Sequence, residues 1–127
     1  MQKDERVYKS GAKRDSNDGK NRPDLIPVEC LWRLAWLYKT GADHYGVNNW
    51  CKGQGIPTES YIESAERHWM KYRMGWTDED HLASLVFNVF GIMWNEIHAT
   101  DKNTYKWVDD EIDPAWKFDC KETKTNG

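Results

Sequence analysis

From Thr77 to Ile97 the chain is apolar on nearly every helical face. Leu82, Leu85, Val86, Val89, Phe90, Met93 and Ile97 recur at the i, i+3, i+4, i+7 spacing of one helix face, and Ala83, Phe87 and Gly91 carry the apolar surface around it. Thr77 with Asp80 three residues later has the form of a capping box, and Asp78, Glu79 and Asp80 suit the positive end of a helix dipole. The pattern predicts a helix that begins at about Thr77 and lies inside a bundle.

Two amphipathic segments precede it. Ile26, Cys30, Leu34, Leu37 and Tyr38 mark a helix over 27–40, opened by Pro27, helped by Asp24 and closed by Gly41. Ile62, Ala65, Trp69 and Tyr72 form the packing stripe of a second helix over 58–73, which Gly75 ends. Between them, 43–57 is rich in Gly and Asn and reads as a loop. The fold class expected is all-α, a helical bundle with an irregular N-terminal arm over 1–24, a helical domain over 25–98 and an acidic C-terminal extension over 99–127. That extension holds Asp109, Asp110, Glu111 and Asp113 among Trp107, Trp116 and Phe118, and reads as an irregular wrap or subunit contact that frays from about Lys121.

The polar exceptions to this pattern carry the candidate chemistry, because a buried polar group is costly unless it is satisfied. On the third helix His81, Ser84, Asn88 and Asn95 fall close to one line, with Asp80 beside its start. Such a stripe is either a hydrogen-bond network between helices or the wall of a site with Asp80 at its charged mouth. On the second helix Glu59, Glu63 and Glu66 share a face, with Arg67 four residues after Glu63. That face is either solvated and laced with ion pairs, or an ExxE pair in which Glu63 and Glu66 share a hard divalent cation with a carboxylate from the next helix; Glu29 is a further candidate ligand. Arg67 and His68 add phosphate-binding or proton-shuttling capacity. In the loop, Tyr45 and Trp50 with Asn48 and Asn49 either pin the segment to the core or stack on and hydrogen-bond a flat heterocycle. In the arm, Lys13, Arg14, Lys20 and Arg22 stand among small residues and read as a solvated tail or an anion-binding segment.

Composition narrows the class. A chain of 127 residues fits one domain, and eight Trp, six Tyr and three Phe give it bulky core or interface side chains, while 31% charged residues mark it as soluble and globular. Eighteen basic against 21 acidic residues leave a net charge of −3, so no overall basic field recommends nucleic acid as a partner. Cys30, Cys51 and Cys120 show no zinc spacing and read as reduced thiols of a cytoplasmic protein. Neither a membrane span nor a secretion signal is recognisable.

Several blocks together resemble a known family. Ser10-Gly11-Ala12-Lys13-Arg14-Asp15, Gly19-Lys20-Asn21-Arg22-Pro23-Asp24-Leu25-Ile26-Pro27, Gly41-Ala42-Asp43-His44-Tyr45-Gly46, Asn49-Trp50, Arg67-His68 and Asp78-Glu79-Asp80-His81-Leu82-Ala83 with Phe87-Asn88 are similar, in order and spacing, to the dATP/dGTP diphosphohydrolase N-terminal domain family. That family is common in bacteriophages and related to MazG-like all-α nucleoside triphosphate pyrophosphohydrolases. The resemblance covers roughly residues 10–97.

What the resemblance implies is an all-α fold that forms a homo-oligomer, dimer or tetramer, uses Mg²⁺ or Mn²⁺, and splits a purine deoxynucleoside triphosphate into the monophosphate and pyrophosphate. Related enzymes hold metal with an ExxE pair followed by ExxD on neighbouring helices. Glu63, Glu66 and Asp80 are the nearest matches and the expected catalytic groups, with Glu79 as a further metal ligand, and Thr77 stands where a third acid is expected. Arg14, Lys20, Arg22, Arg67 and His68 would hold phosphates, and Tyr45, Asn49, Trp50, His81 and Asn88 would contact base and sugar. A phage-encoded protein of this kind would work in the host cytoplasm. The alternative is a protein of the same fold that sequesters a nucleotide without turnover, to which Thr77 and the Asp43-His44 pair lend themselves.

Overall fold

The computed structural model describes residues 5–98, and everything below concerns those residues. Three helices dominate: α1 (Val28–Tyr45), α2 (Thr58–Arg73) and α3 (His81–His98). The all-α expectation holds. The extension over 99–127 lies outside the described residues.

The arm is partly structured. Strands β1 (Glu5–Val7) and β2 (Lys13–Asp15) pair antiparallel, Arg6 opposite Arg14, and Arg6 Nε donates to the Asp15 carbonyl at 2.9 Å. Tyr8 N–H to Ala12 O closes the turn, with Gly11 at φ +85°, a conformation that costs a residue without Cβ little. The polar composition of 1–24 had hidden this hairpin, because a strand of three residues carries too little alternation to register.

The second helix spans its expected residues, and the other two move at their ends. Gly41 does not stop α1; the helix runs on to Tyr45 and is closed by Gly46 at φ +93°, which suits a Gly C-cap. The third helix begins at His81 rather than Thr77, because Asp80 is the capping group. Its Oδ1 accepts the Ala83 N–H at 3.1 Å and its carbonyl accepts the Ser84 N–H.

The faces are corrected more strongly than the boundaries. The packing stripe of α2 is not Ile62, Ala65, Trp69 and Tyr72 but Tyr61, Ser64, Ala65 and His68, while Ile62, Trp69 and Tyr72 are exposed. On α3 the side chains turned inward are His81, Ala83, Ser84, Asn88 and Gly91, and Val86, Val89, Phe90 and Met93 face out. The third helix packs chiefly along α2 and less extensively on α1. Among the described residues no side chain is completely enclosed.

What holds the bundle is a chain of rings and one side-chain amide. Tyr38 meets Phe87 and Trp50, Trp50 meets Trp94 edge-on at 4.8 Å, and Tyr61 reaches Phe87 while its hydroxyl donates to the Trp50 carbonyl at 3.3 Å. Asn95 Nδ2 donates to the Ile56 carbonyl and to Thr58 Oγ1, tying the C-terminal half of α3 to the start of α2. The polar stripe therefore divides: Asn95 is a helix-to-helix tie, and Ser84 and Asn88 face a cavity. Of the cysteines expected to be reduced, Cys30 is free and exposed, Cys51 is buried with its sulfur 3.4 Å from the Asn48 carbonyl, and Cys120 lies outside the described residues.

One long-range ion pair fixes the entrance of α3. The Arg33 guanidinium grips Asp80 with two hydrogen bonds of 2.7 Å, and it holds the Asp80 carboxyl below its ordinary value of 3.8. A depressed carboxyl contributes stability that is present above its unfolded value and is lost as the pH falls through the folded one. Both partners are substantially exposed, so the pair is worth about 0.5–1 kcal/mol. Arg33→Gln is expected to lower the melting temperature at neutral pH and to match the wild type below the carboxylate range; an equal deficit at both pH values would show that the loss is not electrostatic.

Candidate functional site

Between the C-terminal half of α1, the 46–50 segment, α2 and the start of α3 lies a cavity of about 720 Å³. That volume sits within the range of small-molecule sites. The long α1 contributes to it: because the helix continues past Gly41, Ala42, His44 and Tyr45 join Thr40 along the cavity wall, and after Asn48, left-handed at φ +61°, Asn49 and Trp50 line it as well. Burial pushes the Tyr38 phenol up to about 12, so it lines the cavity as a protonated donor at neutral pH. Ser84 and Asn88 line it from α3, with Asn88 Nδ2 donating to the Ser84 carbonyl at 2.7 Å.

The polar wall of this cavity ends in a group of three side chains. His68 and Glu79 line it directly, and His81, whose side chain is 1% exposed, stands behind them. The two histidines face each other through their Nδ1 atoms at 2.9 Å, and Glu79 Oε1 is 3.3 Å from His68 Nδ1 and 3.8 Å from His81 Nδ1. Ser84 Oγ donates to the same Glu79 oxygen at 3.4 Å. On the far side of the His81 ring, Nε2–H donates to Asp78 Oδ1 at 2.7 Å, and that bond holds the Asp78 carboxyl below its ordinary value. The His68 pKa is lowered, first by burial, so the imidazole is held neutral.

The expected site residues are thus distributed. Tyr45, Asn49, Trp50, Asn88, His68 and Glu79 line one cavity, with His81 behind. Glu63, Glu66 and Arg67 lie on another face of α2, in a shallow hollow of about 360 Å³ with Lys71, Met74 and Trp76. Asp80 lines neither; it caps α3 and binds Arg33. Arg14, Lys20 and Arg22 are exposed on the arm, where Arg22 pairs with Asp24 at 2.8 Å. The four carboxylates Glu63, Glu66, Glu79 and Asp80 do not meet as one ligand set, since Arg67 and Lys71 share the hollow with two of them and Arg33 occupies both oxygens of a third. The donor set that does converge among the described residues, and that fits a metal ion, is His68, Glu79 and His81.

Sequence reasoning missed Lys39 and Ser64 as cavity residues, and Arg33 and Asp78 as supports, whereas Ser84 stands on the polar stripe read as a site wall and does line the cavity. Ser64 and His68 at i, i+4 on one line with Tyr61 would have pointed to the inward face of α2, but the larger apolar residues on the neighbouring line outweighed them. A family model matches residues 10–105. The chain belongs to the dATP/dGTP diphosphohydrolase N-terminal domain family. The match spans all three helices and the arm from residue 10 onward. No curated protein and no solved structure gives a match. No helix of the described residues is long and apolar enough to cross a membrane.

Proposed function

We propose that this dATP/dGTP diphosphohydrolase-family chain is a metal-dependent pyrophosphohydrolase that converts a purine deoxynucleoside triphosphate to the monophosphate and pyrophosphate. The observation that carries this reading is a single cavity that joins aromatic and amide groups suited to base and sugar with a His–Glu–His group suited to metal and phosphate. Trp50 and Tyr45 offer rings, and Asn49 and Asn88 offer amides, for a flat heterocycle and its sugar. Lys39, paired with Asp43 at 2.6 Å, lines the same cavity and supplies a cation for the phosphates.

In the reaction a water oxygen bonds to the α-phosphorus, the bond from that phosphorus to the bridging oxygen breaks, and pyrophosphate leaves with the bond's electron pair. Glu79 Oε1 takes the contacts to His68, His81 and Ser84, which leaves Oε2 to receive the proton from water. A divalent ion, when bound, neutralises phosphate charge and lowers the pKa of its water.

The same reading includes self-association. Val86, Val89, Phe90 and Met93 form one exposed apolar face of α3, and Trp32 and Trp36 stand out from α1 at 69% and 58% exposure. A helix with polar groups inward and apolar groups outward is stable in water when a second apolar face covers it, and a second copy of this chain supplies one.

The test incubates the purified protein with each common NTP and dNTP plus Mg²⁺ or Mn²⁺ and resolves the products by ion exchange. Monophosphate and pyrophosphate from a purine dNTP are expected. A nucleotide that raises the melting temperature and is recovered intact after denaturation would instead establish sequestration without turnover.

A further inference from the structure

We infer that His68, Glu79 and His81 form a binding site for a first-row transition-metal ion, with Asp78 as the outer carboxylate that fixes the ligand His81. The expectation was an oxygen-only Mg²⁺ or Mn²⁺ site built from Glu63, Glu66, Glu79 and Asp80; of these only Glu79 joins the group that converges, and its partners there are two imidazoles.

The geometry favours an ion at the centre. Ligand atoms about 2.1 Å from one ion, at angles of about 90–110°, stand roughly 3.0–3.4 Å from each other. The three separations here, 2.9, 3.3 and 3.8 Å, bracket that range. With Nε2 bonded to Asp78 on one side, the His81 ring directs Nδ1 toward His68 Nδ1 and Glu79 Oε1 on the other. A carboxylate behind a histidine that presents its other nitrogen inward is the arrangement that orients metal-bound imidazoles. Without a cation, two Nδ1 atoms at 2.9 Å must share one hydrogen, and an ion satisfies both lone pairs together.

Two imidazoles and one carboxylate select Zn²⁺, Co²⁺, Fe²⁺ or Ni²⁺ over Mg²⁺, which prefers an octahedron of oxygens and keeps its waters. Among the described residues three protein groups converge, and two of them line the cavity, so the ion's remaining positions open toward the ligand space. That is the pattern of a reactive site rather than a closed structural one. The inference rests on the pyrophosphohydrolase reading only for what the ion would act on.

Binding is tested apart from turnover. The full chain, stripped with chelator, is titrated with Co²⁺ and followed by visible d–d absorption and calorimetry. One Co²⁺ per chain is expected, displaced by Zn²⁺ and retained in millimolar Mg²⁺. Glu79→Gln and His68→Gln, both at partly exposed side chains, are expected to remove the band with the helical circular dichroism unchanged. Asp78→Asn is expected to weaken affinity by about 10–100-fold. A Co²⁺ band that survives Glu79→Gln and His68→Gln, or that is lost instead in a Glu63→Gln/Glu66→Gln double variant, overturns the site. Tight Co²⁺ binding with no dNTP hydrolysed under any metal would keep the site and overturn the pyrophosphohydrolase, whereas Mg²⁺-supported hydrolysis in a chain with no Co²⁺ site would do the reverse.

Discussion

Gly91→Ala is expected to destabilise the protein by about 2 kcal/mol, although alanine is the better helix former by about 1 kcal/mol. Gly91 is buried on the inward face of α3, and a Cβ there would overlap three atoms of the Tyr61 ring. That ring cannot move aside cheaply: Tyr61 is itself buried, it packs on Phe87, and its hydroxyl donates to the Trp50 carbonyl. Gly41 supplies the contrast. It also lies within a helix, but nothing stands within 4 Å of the position its Cβ would take, so Gly41→Ala should stabilise by up to about 1 kcal/mol. Thermal melts of the two variants test the contact, with a fall of roughly 8 °C expected for Gly91→Ala and a rise for Gly41→Ala. A rise in both would mean that α2 and α3 do not approach as closely at Tyr61 as the structure places them.

The contrast between these glycines shows what the chain's pattern could and could not convey. Gly41 was read as a helix stop because Gly lacks propensity, yet tertiary packing carried α1 one turn further, to a glycine that takes positive φ. The existence, order and approximate spans of three helices were legible, since a 3.6-residue apolar period over a dozen or more residues has few competing explanations. The faces were not. Periodicity assigns the largest apolar residues to the core of a single chain, and here Trp69, Val86, Val89, Phe90 and Met93 face outward while Ser84, Asn88 and His81 face inward. A sequence whose apolar surface exceeds what one bundle can bury confuses the inward face with the outward one, and the candidate ligands shift with it. Rotating α2 by about one residue replaces Ile62 and Trp69 with Tyr61 and His68 on the inward face and leaves Glu63 and Glu66 exposed. The motif blocks were more robust than the wheel: Arg67-His68, Asp78 to Ala83, Asn49-Trp50 and Asn88 were all marked in the sequence, although the roles of neighbouring residues within a block, such as Asp80 and Glu79, depend on a side-chain direction that spacing alone does not fix.

Glu79→Gln is the second change with a large expected effect, on turnover rather than on folding. The side chain is 49% exposed and bears none of the helix packing, so the amide should fit in place with little loss of stability. What it removes is a negative charge at the end of the cavity and the only carboxylate oxygens in the His68–Glu79–His81 group. Loss of a positioned base contributes a factor of about 10²–10⁴, so a fall in kcat of at least about 10²-fold is expected with a KM changed far less. Glu66→Gln is the informative partner, because Glu66 sits in the hollow on the other side of α2 with Arg67 and Lys71. If chemistry takes place in the large cavity, the loss in Glu79→Gln exceeds that in Glu66→Gln by at least tenfold. If instead Glu66→Gln is the more damaged variant, the reacting centre lies on the acidic face of α2, and a second copy of the chain would then have to complete it, because among the described residues no carboxylate besides Glu63 and Glu66 lines that hollow.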